Sequence, residues 1–403
     1  MKVVLLIGSG DPTYREYLLR AMAEHHNLVL LDTQPLTWQA QYVEDYVQID
    51  MSKSSALYAA KRLQEKNSIV GILTYHEVFV ELTAAVAEAL SLPNNPVQCA
   101  KQCRDKWLMR EQFDRFGVPS AQSVLVHSQH EARTVADNIG YPVVLKPRAL
   151  GGSLGVRLVE DPKAMNEAFF GASETDEEGL GVDYRGVLVE EYLDGPEVSV
   201  ESVTFQGTTQ IIAVTQKQTG FPPYFEEIGH LISPDDNTFG EDDLRRVTLS
   251  AHHALGIQNA VTHTEIKVTS LGPRIVEVAA RLAGDLIPHL VHLATGIDLS
   301  NIAIDISLGN RPGIIRNRSN AAAIQFIYPL RSGRVKTLMA DPWLTKQPWL
   351  DQIRWQVKKG DSIEFSHHSF PPRLGYIVVF GNSVSECTQF LKQAFSCVRI
   401  EID

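Results

Sequence analysis

The 403-residue sequence predicts a mixed α/β and α+β protein, with a parallel-sheet lobe first, antiparallel sheets next and a small α+β lobe last. Three observations predict this. Apolar runs alternate with helical patterns over the first 90 residues, which requires crossover connections and a parallel sheet. From residue 120 onward, strand patterns follow one another across short turns, as antiparallel pairing does. A chain of this length, 44% hydrophobic and 21% charged, also exceeds what one core usually holds, so several lobes are expected.

In order, residues 2–7 (KVVLLI) read as a buried strand, Gly8-Ser9-Gly10 as a turn, and Pro12 to Glu24 as a helix. Strands follow at 28–32 and 69–74, then a helix at 77–90. The G-x-G turn with Asp32 ending the next strand is a truncated dinucleotide fingerprint, because Thr13 holds the third glycine position. A tight strand-to-helix turn is the better expectation there. The run LPNNP (92–96) marks a break, followed by one helix over 98–116 that ends at Gly117-Val118-Pro119. These breaks divide the chain into 1–95, 96–190, 191–310 and 311–403. Residues 218–240, dense in Pro, Gly and aromatics, read as a long functional connection.

Composition narrows the partners. A net charge of -11 without a Lys/Arg run argues against nucleic acid or an anionic membrane. No apolar run reaches ~18 residues, and the opening MKVVLLIGSG is too short for a signal-peptide core. Cys99, Cys103, Cys387 and Cys397 are too scattered for a disulfide framework, and C-x3-C alone is a poor zinc pattern. A cytoplasmic protein is expected.

Four constellations carry chemistry. Lys146 sits on a strand whose Val143 and Leu145 point the other way, and Gly151-Gly152-Ser153-Leu154-Gly155 follows. Glycines there let backbone N–H groups wrap phosphate oxygens while the lysine supplies a point charge. A surface lysine beside an ordinary hairpin loop fits the same residues. The strands 262–268 and 274–278, joined by a three-residue loop at 270–272, place Glu265 directly opposite Glu277. Like charges so placed repel, and a divalent cation would reconcile them. A one-residue slip in register would instead put them on opposite faces. Arg281, four residues past Glu277, could grip a phosphoryl or carboxylate oxygen, or simply pair at the surface. The strand 187–193 ends in Glu190, Glu191, Tyr192 and Leu193, with Glu197 beyond, and could frame a flat heterocycle or end in plain solvated acids.

Taken in order, Lys106, Lys146, the Gly-rich turn, the acidic strand end, the two glutamates and Arg281 resemble the ATP-grasp superfamily over most of the chain. The run Glu277-Val278-Ala279-Ala280-Arg281-Leu282-Ala283-Gly284-Asp285 is most similar to L-amino-acid ligases of the dipeptide-forming, bacilysin synthetase type. Ala279 stands where many ATP-grasp enzymes have a metal-binding Asn, which leaves coordination to Glu265 and Glu277. PPYFEEIGH (222–230) resembles the substrate loop of such ligases and brings Glu227 and His230.

The resemblance implies a Rossmann-like first lobe and ATP held by Lys106, Lys146, Gly152, Ser153 and Gly155. Adenine is implied at Glu190 and the backbone of 191–193, ribose at Glu197, and Mg²⁺ (or Mn²⁺) on Glu265 and Glu277. It gives Arg281 and His230 catalytic roles and puts Glu227, His230, Gly284 and Asp285 beside the substrates, a small acid and an amine. Asp285 would favour a cationic substrate or cap the helix after it. The segments 151–155 and 218–240 are the expected lids. A homodimer is the default assembly. Carboxyphosphate-forming chemistry and a catalytically silent ATP-binding protein remain as other readings.

Overall fold

A computed structural model describes residues 2–50, 52–175, 184–233, 238–365 and 371–403. The first lobe comprises β1 (Val3–Ile7), α1 (Pro12–Ala23), β2 (Asn27–Asp32), β3 (Asp45–Gln48), α2 (Lys53–Asn67), β4 (Ile69–Leu73) and α3 (Val80–Leu90). Its strands pair in parallel in the order β3-β2-β1-β4. Val4, Leu5, Leu6 and Ile7 are fully buried because helices cover both faces, which is why the strand reads as a continuous apolar run. Asp32 accepts from the Ser9 backbone N–H at 2.8 Å and from its hydroxyl at 2.5 Å. The carboxylate therefore ties down the Gly8–Gly10 turn.

The single helix expected over 98–116 is two, α4 (Val97–Arg104) and α5 (Lys106–Phe116). Asp105 breaks it with extended backbone, and its carboxylate caps α5 by accepting from Trp107 and Leu108 N–H. Arg148 grips the same carboxylate at 2.8 and 2.7 Å. The break puts Lys106 at the first position of a helix rather than mid-helix.

Next come β5 (Ser123–Val126), α6 (Gln129–Ile139), β6 (Val143–Pro147), β7 (Arg157–Val159), α7 (Met165–Glu174) and β8 (Val187–Glu191). They form an antiparallel sheet in the order β5-β8-β6-β7, with residues of α6 and α7 in its core. The large unit begins with β9 (Glu197–Phe205), β10 (Thr208–Gly220), β11 (Glu226–Ile232), α8 (Glu241–Leu255), β12 (Ala260–Thr269), β13 (Gly272–Ala279), α9 (Ile287–Thr295) and α10 (Leu299–Ser307). It continues through β14 (Ala321–Ile327), β15 (Gly333–Ala340), β16 (Leu350–Trp355), β17 (Ser362–Ile363), β18 (Gly375–Gly381), α11 (Val384–Ser396) and β19 (Val398–Ile402).

The small C-terminal α+β lobe (311–403) is present: among the described residues β17-β15-β19 form a separate three-stranded sheet, while β14, β18 and β16 extend one eight-stranded sheet, β13-β12-β9-β10-β11-β14-β18-β16. Two expectations need correction. Residues 218–240 are not one long connection, since 218–220 end β10 and 226–232 are β11, which pairs with β14 inside the large sheet. Phe221, Pro222, Pro223, Tyr224 and Phe225 make the turn between them, and residues 234–237 of the expected connection lie outside the described residues. The β12–β13 turn has two residues, Ser270 and Leu271, because Thr269 pairs with Gly272. A bulge beyond Ile266 then adds one residue to β13 and restores the pairing of Glu265 with Glu277. Among the described residues, no helix is long and apolar enough to cross a membrane.

Candidate active site

A cavity of about 660 Å³ opens between the β5–β8 sheet, the β12–β13 hairpin and the segment before β18. Lys106, Lys146, Gly152, Ser153, Glu190, Glu191, Tyr192, Leu193 and Glu197 line it, as do Glu227, Glu265, Glu277, Arg281, Gly284 and Asp285. Two expected residues do not. Gly155 turns away: at φ +71°, a Cβ there would sit 2.7 Å from the Pro147 ring, so this glycine serves close packing under the turn. His230 is 1% exposed and lies beneath the cavity floor, on β11.

At one side, Lys146 points from β6 to Glu190 on β8, at 2.5 Å. Arg110 reaches the same carboxylate through Nε at 2.9 Å and Nη2 at 3.3 Å. Burial pushes the Glu190 carboxyl up, but the two cations outweigh it and hold it below its usual range. Burial outweighs Glu190 at Lys146, and with Arg110 alongside, that ammonium falls below its ordinary range. Glu190 is thus enclosed by cations, and its carboxylate is not a free edge for a heterocycle. The chain beyond it, Glu191 to Leu193, does face the cavity.

In the middle, Glu265 and Glu277 face each other, as the restored register requires. Each already has a protein cation. Lys106 Nζ lies 3.1 Å from Glu277 and 2.5 Å from the Leu150 carbonyl oxygen. Lys217 Nζ lies 2.5 Å from Glu265, 2.5 Å from Glu227 and 3.4 Å from Glu197. Burial pushes the Glu265 carboxyl up, and Lys217 and His263 more than reverse it. Two hard oxygen donors side by side, partly open to the cavity, suit a hard divalent cation, which would displace or share these ammonium partners. Arg281 donates from Nε to Glu77 at 2.6 Å, and Arg104 lies 3.6 Å from the same glutamate. A residue of the first lobe therefore aims Arg281.

At the other side, His230 Nε2 lies 3.2 Å from Glu227 and 3.3 Å from Asp285. Asp285 is also gripped through both oxygens by Arg373, at 2.8 and 2.9 Å. Both proposed roles for Asp285 change accordingly. It does not cap α9, whose first turn has no side-chain cap, and its charge is already answered by Arg373. Burial pulls the His230 imidazole down, but hydrogen bonds to Asp285 and Glu227 raise it above its usual value. A raised folded-state pKa means stability present at low pH and lost as pH rises through that pKa. The stability gap between the wild-type chain and His230→Gln should therefore be wider at ~pH 6 than at ~pH 9. Thermal melts at the two pH values check this; equal gaps would refute the assignment.

Sequence reasoning missed Arg110, Glu77, Lys217 and Arg373. Arg110 had a signal, lying four residues after Lys106 on one helix face. The others had none, since each meets its partner only across lobes or strands.

Comparisons with known proteins agree with this architecture. A model of the ATP-grasp N-terminal domain matches residues 25–94, and one of the ATP-grasp domain matches 139–289, together over half the chain. Alanine–anticapsin ligase of Bacillus subtilis is 30% identical over 257 residues, 58% of this chain and 53% of that protein. Dapdiamide A synthase of Enterobacter agglomerans is 32% identical over 235 residues, 57% of this chain and 54% of its own length. The chain thus spans about half the length of these two curated relatives. The crystal structure of an L-amino acid ligase from Bacillus licheniformis superposes with a TM-score of 0.85 at 20% identity, covering 100% of this chain and 99% of that one, a likeness of fold. With ATP-grasp models matching residues 25–94 and 139–289, together over half of its length, the chain belongs to the ATP-grasp superfamily.

Proposed function

We propose that this chain is an ATP-dependent ligase joining the carboxylate of an amino acid, or a related small acid, to an amine. The carrying observation is that Lys106, Lys146, the Gly-rich turn, Glu265, Glu277 and Arg281 converge on one cavity that continues to Glu227 and Asp285. The names of the relatives, ligases and synthases, support the same class.

In this reading Lys106 and Lys146 neutralise phosphate oxygens, while the backbone of 151–154 wraps them. The chain at 191–193 receives adenine, and Glu197 the ribose. Glu265 and Glu277 would hold Mg²⁺ or Mn²⁺, which neutralises charge on the transferring phosphoryl group. The substrate carboxylate attacks the γ-phosphate of ATP, giving an acylphosphate and ADP. The amine nitrogen then attacks the acyl carbon, phosphate leaves with the bonding pair, and the amine loses a proton. Arg281, aimed by Glu77, stabilises negative charge on the phosphoryl or acyl oxygen. Glu190, pairing with Arg110 and Lys146, positions a phosphate-binding lysine rather than touching adenine. His230 supports Glu227 and Asp285 from below. The four free thiols, three of them buried, suit a reducing compartment and support a cytoplasmic location.

ADP release measured over a panel of amino-acid pairs tests the proposal, and amino-acid-dependent release is the expected result. Release that needs bicarbonate and no amino acid would overturn it in favour of carboxyphosphate chemistry. ATP binding without turnover on any acid and amine would overturn it in favour of a silent nucleotide-binding protein.

A further inference from the structure

We infer that Arg373 determines specificity, and that one of the two amino acids joined carries a flat, π-bonded side chain, an aromatic one being the fitting class. This rests on the ligase reading above. Arg373 enters the cavity from the segment before β18. Every N–H of its guanidinium is engaged. Nη1 and Nη2 hold Asp285 at 2.8 and 2.9 Å. Nε donates to Glu226 at 2.9 Å and also approaches the Tyr328 hydroxyl at 3.2 Å. The remaining hydrogens point to the Tyr14 hydroxyl, 3.5 Å away, and to the Glu227 carbonyl oxygen, 3.1 Å away.

One flat face of the group is also covered, since Cζ lies 3.6 Å from the centre of the Phe326 ring. The side chain is nevertheless 18% exposed and lines the cavity. With the plane filled and one face on Phe326, what the guanidinium offers the cavity, among the described residues, is its second face. A substrate carboxylate would find no N–H there. A planar π system can stack on that face, as guanidinium groups do on aromatic rings. Phe225 and Pro372, both partly exposed, line the same cavity and supply apolar surface for such a side chain. The face is also close to the substrate end, because Asp285, held by Arg373, is itself 3.3 Å from His230.

The test compares phenylalanine with cyclohexylalanine, nearly the same shape without the π system, each offered with a common set of second amino acids. ADP release is followed in the wild-type chain and in Arg373→Lys, which keeps a charge against Asp285 but has no flat face. The wild-type chain should prefer phenylalanine by about 3- to 30-fold in kcat/KM, and Arg373→Lys should bring that ratio close to one. Because the ratio is internal to each protein, partial loss of folded enzyme does not move it. A wild-type ratio within about twofold of one would overturn the inference, as would a ratio that survives in Arg373→Lys or turnover confined to aliphatic amino acids. Those results would leave the ligase reading standing. Absence of amino-acid-dependent ADP release throughout would overturn that reading and this inference with it.

Discussion

Replacing Glu277 by alanine is expected to lower turnover by on the order of 10²–10³-fold or more while leaving the chain folded, the scale of losing one charge-stabilising group in a water-poor site. The carboxylate stands at a cavity-facing position of β13, directly opposite Glu265. Its loss removes one of the two donors proposed for a divalent ion and also relieves repulsion between like charges. Structurally the site tolerates the change. Lys106 loses its 3.1 Å ion pair but keeps the Leu150 carbonyl oxygen, and the Glu277 side chain is 15% exposed, so water can reach the gap. ADP release at saturating ATP, amino acids and Mg²⁺ gives the first readout, and thermal melting the second. Undiminished turnover would dismiss Glu277 as a metal ligand, whereas a collapsed melt would show that the residue serves the fold.

Glu190→Ala should produce the largest loss of stability, about 3–5 kcal/mol, the usual result of removing one partner from a buried charge cluster. Arg110, Lys146 and Glu190 side chains are 2%, 5% and 5% exposed, so two nearly buried cations would be left facing each other without their shared carboxylate. Denaturant unfolding measures the loss. A triple variant, Arg110→Met with Lys146→Met and Glu190→Leu, removes all the charges together and should recover most of that stability. On the proposed function it should not recover ATP binding, because the lysine assigned to the phosphates is gone. Recovered stability with intact ATP binding would show that the triad serves packing alone, and wild-type stability in Glu190→Ala would refute the buried-cluster argument.

Much of this site is legible in residue order. The alternation of strand and helix, the Gly-rich turn after Lys146 and the hairpin bearing two glutamates are local features that periodicity and turn chemistry expose. Even there, the facing of Glu265 and Glu277 arose by a route that spacing did not show, since a shorter turn and a bulge compensate each other. Asp105 illustrates a missed local feature: its capping bonds break what apolar periodicity alone presents as a single helix.

What amino-acid order determined by itself is the class of fold and many of the polar groups that line the cavity, because these sit on strands and turns where neighbours in sequence are neighbours in space. Tertiary structure alone decided how those groups are charged and aimed. Glu77 comes from the first lobe to Arg281, Lys217 from β10 into three carboxylates, and Arg373 from beyond the eight-stranded sheet's middle to Asp285. Burial makes each such pairing obligatory, since an ionised side chain out of water must meet its opposite. Which opposite it meets depends on how distant strands are stacked, and pairings so remote along the chain leave no periodicity to read.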